Sequence, residues 1–62
     1  MGNMGVIVGL DIGEARTGIA RSDALQMLAF PHSVVHARTE SDMVRDVAAA
    51  ILELAPVQVV AG

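Results

Sequence analysis

Two β-type runs with almost nothing between them place the strongest constraint on this chain. Val6 to Ile12 is β-branched and apolar, bounded by Gly5 and Gly13, and reads as a buried strand. Thr17 to Ser22 reads as a second strand. The residues between them, Glu14-Ala15-Arg16, are too few for anything but a turn, so the two strands must pair antiparallel. Every fold open to the chain starts from that hairpin.

The remaining elements follow in order. Asp23 to Pro31 holds Met27, Leu28 and Phe30 without a clear period and is expected to be a loop touching the core. Ser33 to Ala37, centred on Val34 and Val35, is the third predicted strand. Thr39-Glu40-Ser41-Asp42 is a helix start, with Thr39 or Ser41 as cap and acids in the first turn. Met43, Val47, Ala50, Ile51 and Leu54 then share one helical face, whereas Asp42, Arg45, Asp46 and Glu53 fall elsewhere. Pro56 disfavours helical geometry at Ala55 and ends the helix there. Val57 to Ala61 is a short apolar strand. The order β-β-β-α-β implies an α/β mixed sheet, with the last strand parallel to the first and a right-handed crossover.

Length bears on stability. A chain of 62 residues buries only about 60% of the surface that its unfolded form exposes. There is no cysteine, which removes disulfides, thiolate metal sites and cysteine nucleophiles together. With 53% hydrophobic and 18% charged residues, disorder is not expected. A hydrophobic strand left at the sheet edge invites pairing with another chain, so these residues alone are expected to form a homo-oligomer rather than a stable monomer. The formal net charge is −3, with four arginines and no lysine. That balance lacks the basic footprint of a protein holding nucleic acid by charge alone, but bound divalent cations can reverse the sign of an acidic site. No signal peptide and no membrane-length apolar run is visible, and a cytoplasmic location is expected.

Strand alternation gives Asp11 a particular setting. Ile7, Gly9, Asp11 and Gly13 point to one face of the first strand, so the carboxylate has a glycine on either side. One face of the second strand carries Gly18, Ala20 and Ser22, all small. If the two faces coincide, Asp11 stands in a shallow depression with little bulk nearby, as approach of a phosphate with its metal ions requires. Aspartate oxygen suits Mg²⁺, which takes only one or two carboxylates from any one segment. Read from this segment alone, a turn former or a satisfied polar residue explains Asp11 equally well. One carboxylate does not make a two-metal site, which needs several oxygens to hold ions about 4 Å apart. Glu40, Asp42, Asp46 and Glu53 belong to the helix cap and its solvent face.

The run Gly9-Leu10-Asp11-Ile12-Gly13, then Arg16, Gly18-Ile19-Ala20 and Ser22-Asp23, resembles the opening of the YqgF/RuvX family. Ala29, Pro31, Arg38 and Val59-Val60-Ala61-Gly62 continue the likeness, which spans positions 9 to 62. The family comprises RNase H-like proteins described as Holliday junction resolvases and as nucleases maturing the 5′ end of 16S ribosomal RNA. The resemblance therefore implies an RNase H-like sheet, metal-dependent phosphodiester hydrolysis using Mg²⁺ or Mn²⁺, and a nucleic-acid partner, either an rRNA precursor or branched DNA. It implies Asp11 as catalytic metal ligand, with Arg16, Gly13, Gly18 and Ser22 as substrate-binding positions. Members of the family are longer chains, with a further acid on a later strand and an aspartate near the C-terminal helix. Neither has a counterpart here, so residues 1–62 are expected to be the N-terminal portion of one RNase H-like domain, inactive alone.

Other residues carry blander expectations. Arg16 apart from the resemblance is a solvent-exposed turn arginine, and Asp23 caps the loop that follows it. Ser22 has no base nearby in sequence. His32 and His36 lie four apart on a strand, about 13 Å, too far for one metal to bridge. The rival class is the ATP-binding fold of the actin/hexokinase/Hsp70 type, which also opens with a strand, D-x-G and a turn. Hydroxyl residues follow the glycine there, whereas Glu14 and Ala15 follow it here. A non-catalytic RNase H-like module is the third reading.

Overall fold

The computed structural model describes residues 4–62. Strand β1 (Ile7–Ile12) pairs antiparallel with β2 (Arg16–Ser22) through a turn closed by the Gly13 N–H donating to the Arg16 carbonyl at 2.8 Å. Strand β3 (Ala29–His36) pairs antiparallel with β2, α1 (Glu40–Leu54) crosses over, and β4 (Gln58–Ala61) pairs parallel with β1. The sheet order is β3-β2-β1-β4, so the hairpin occupies the centre and β3 and β4 are the edges. The architecture is an α/β mixed sheet in the order β-β-β-α-β, as expected of an RNase H-like fold.

The third strand departs from the sequence reading. It begins at Ala29, not Ser33, and takes in Phe30 and Pro31, which were expected in the loop. Proline lacks a donor, but an edge strand needs donors on one side only, so Pro31 is tolerated opposite Ala20. Ile19 pairs with Ser33 while its neighbour Ala20 pairs with Pro31, which leaves His32 as the extra residue of a bulge. The loop thereby shrinks to a turn over Asp23–Leu28. There the Asp23 carboxylate accepts from the Met27 N–H at 2.8 Å, the capping role expected of it.

The helix matches its pattern closely. The Thr39 hydroxyl accepts from the Asp42 N–H at 3.1 Å, which caps the first turn. Ala55 stops the helix in the left-handed region (φ 47°, ψ 56°) directly before Pro56. Met43, Val47, Ala50, Ile51 and Leu54 are the half-buried stripe, and the helix packs over β2 and β3. On the sheet, Val8, Thr17 and Ile19 form the buried centre beneath it. This core is thin: no helix residue is fully buried. Among the described residues nothing comparable covers the opposite face, where Val34 and Val60 stay about half exposed at 53% and 50%. No described helix is long and apolar enough to cross a membrane.

Candidate active site

The register decides which side chains surround Asp11. In an antiparallel pair, opposed residues project to the same side. Asp11 opposes Gly18, Gly9 opposes Ala20, and Gly18 in turn opposes Val34 on β3. The two small-residue faces anticipated from alternation are therefore one face, the one without a helix. Around Asp11 lies an open depression of about 390 Å³ lined by Asp11, Gly13, Arg16, Gly18 and Val34.

The carboxylate itself is free. Asp11 is exposed and makes no hydrogen bond or ion pair among the described residues. A strand aspartate in the satisfied-polar reading would have such a partner, and a turn former would cap the hairpin. The hairpin instead closes on its own backbone through Gly13 and Arg16. Nothing in the local fold uses this charge.

The glycines divide by cause. A Cβ on Gly13 would sit 2.8 Å from the Arg16 carbonyl oxygen, closer than side chains tolerate, so the turn itself requires glycine there. A Cβ on Gly18 would meet only the Asp11 Cβ, at an ordinary 3.7 Å, and one on Gly9 would meet nothing within 4 Å. Packing does not demand glycine at either position. Their smallness leaves the face around Asp11 open.

Arg16 shares the depression with Asp11. Ser22 does not join them. It lies at the other end of β2, where its hydroxyl accepts from the Ile7 N–H at 2.8 Å and donates to the Asp23 carbonyl at 2.9 Å. Both hydrogen-bonding capacities tie the start of β1 to the end of β2, so the position expected to bind substrate serves the sheet. The register also places His36 directly opposite Arg16. That neighbour was hidden in the sequence, because the bulge at His32 fixes which β3 residues share the face.

A divalent ion can be tested against these residues. An exposed, unpartnered carboxylate in an unobstructed hollow suits one ligand position for Mg²⁺ or Mn²⁺. Among the described residues, no three His, Cys, Asp or Glu side chains come together as a metal group. Asp11 fits as a single ligand of a larger set.

An α/β sheet carrying a bare carboxylate near the end of a central strand, on its open face, is the layout of an RNase H-like protein. Residues 5–62 match the RuvX family, described as Holliday junction resolvase, and the chain belongs to that family. Among curated proteins, none matches it.

Proposed function

We propose that Asp11 is the first metal-binding carboxylate of an endonuclease that hydrolyses phosphodiester bonds in a structured nucleic acid. The observation that carries this reading is the free Asp11 carboxylate in an open hollow it shares with Gly13, Arg16, Gly18 and Val34, on the uncovered face of the sheet. A divalent ion bound there would activate water and neutralise charge developing on the phosphate. Asp11 would hold and orient such an ion, Arg16 would contact the phosphate through its planar guanidinium, and the missing bulk at positions 9 and 18 would admit the backbone. The further carboxylates that such a site needs lie outside residues 4–62 in this reading, so the 62 residues alone are expected to be inactive.

Two substrates follow from different lines of support. The family description favours a four-way DNA junction, whereas 16S rRNA 5′-end maturation rests on the sequence resemblance. Incubating the natural protein with a labelled four-way junction and with a 16S precursor, with and without Mg²⁺ or Mn²⁺, tests both. Metal-dependent cleavage of either supports the nuclease, and the preferred substrate names its role. Cleavage of neither overturns it. The ATP-binding reading is weaker on geometry: the Gly13 N–H that would face a phosphate in the turn already donates to the Arg16 carbonyl.

A further inference from the structure

The four arginines fall into two pairs. Arg45 is engaged by Asp42 at 2.9 Å and Asp46 at 3.6 Å, and the Arg21 guanidinium lies 5.7 Å from the centre of the Phe30 ring. Arg16 and Arg38 have no ion pair among the described residues. Both sit at the end of the sheet where Asp11 lies. Arg16 lines the Asp11 hollow, and the Ala37 N–H donates to the Ala15 carbonyl at 3.1 Å, which fastens the segment carrying Arg38 beside the hairpin turn. His36, exposed, stands between them, directly opposite Arg16.

The nearest acids are not paired with these two arginines. Asp42, Asp46 and Arg45 border a second hollow with Ala15, His36, Ala37 and Arg38; both carboxylates contact Arg45, and with Arg38 the four charges balance. Glu14, in the same turn as Arg16, lines the groove between the sheet and α1 instead. In a chain of net charge −3, Arg16 thus stands beside the exposed Asp11 carboxylate of the open face, and Arg38 follows it without an ion pair among the described residues.

Spacing fits a chain of phosphates. Strands lie about 4.8 Å apart and residues on one face repeat every 6.8 Å or so, which puts His36 roughly 12 Å from Asp11, with Arg16 between them. One phosphate cannot span that distance, but successive phosphates of a single strand can. We propose that Arg16, His36 and Arg38 form a phosphate track that leads a nucleic-acid strand from Asp11 across the ends of β2 and β3. This rests on the nuclease reading of Asp11 and adds His36 and Arg38 as substrate-positioning residues.

Binding of a labelled four-way junction and a single-stranded RNA, measured across a salt series with the natural protein, tests the track. Arg38→Ala is expected to weaken binding about three- to tenfold and to flatten the dependence of log affinity on log salt by about 0.7–0.9, the value of one lost phosphate contact. His36→Ala is expected to weaken binding about two- to fivefold, with His36→Arg restoring it, since neutral or charged donors to phosphate serve alike. Arg21→Ala is the control for net charge and is expected to stay within about twofold, because Arg21 lies over Phe30 at the end of β2 away from Asp11. Unchanged affinity and slope in both the Arg38 and His36 variants would overturn the track while leaving the nuclease reading in place. So would an Arg21 variant as weak as the Arg38 one. Failure of the natural protein to bind either nucleic acid would overturn track and nuclease together.

Discussion

At the scale of single residues, the structure separates those that hold the hairpin from those that serve the hollow. Gly13→Ala drives a Cβ into the Arg16 carbonyl and is expected to cost about 1–3 kcal/mol, read as a lowered melting temperature. Gly18→Ala meets no such obstacle. It should leave stability within about 1 kcal/mol of the parent, yet cut cleavage at least tenfold by filling the space beside Asp11. Loss of stability without a specific loss of activity would show that Gly18 is structural. Thr17 offers a test of the core: it is 1% exposed and its hydroxyl has no hydrogen-bond partner among the described residues. Thr17→Val keeps the shape and removes the stranded polar atom, so thermal unfolding is expected to shift upward by about 1 kcal/mol of stability.

At the scale of elements, the helix is the part most fully legible beforehand. Its apolar period, its Thr39 cap and its stop at Pro56 are all local signals, and local signals survive packing. The stop carries a cost, since Ala55 adopts a left-handed conformation that disfavours a Cβ. Ala55→Gly is expected to stabilise the protein by roughly 0.5–1 kcal/mol in chemical denaturation, and a loss of stability would contradict the capping account. The hairpin was equally readable, because so short a connection leaves antiparallel pairing as its one solution. The third strand was not. Phe30-Pro31 looks like a breaker when judged by propensity, and only the edge position of β3 makes Pro31 acceptable. The bulge at His32 is likewise a product of pairing with β2 and not of any local pattern. For the same reason the sequence could mark Asp11 and Arg16 as candidates but could neither bring His36 to Arg16 nor move Ser22 away from the site.

At the scale of the whole molecule, one face of the sheet is covered and the other is bare. On the bare face Val34 and Val60 are each about half exposed, and β4, which carries Val60, is an edge strand. Such an edge with apolar neighbours is a template for pairing with a second copy. Residues 1–62 prepared alone are expected to self-associate in light scattering, and Val60→Lys is expected to shift them toward monomer; a dilute, folded monomer of the parent sequence would contradict this. The same bare face is where Asp11 lies, so exposure that is a liability for the isolated chain is access for a nucleic acid. The central claim is that the Asp11 carboxylate acts through a divalent ion, and it is tested most directly by metal-dependent cleavage in the natural protein carrying Asp11→Asn. The exposed, unpartnered carboxylate predicts unchanged folding, with melting within about 0.5 kcal/mol of the parent, and loss of about a hundredfold or more in cleavage. Cleavage at the parental rate by a folded Asp11→Asn protein would contradict it.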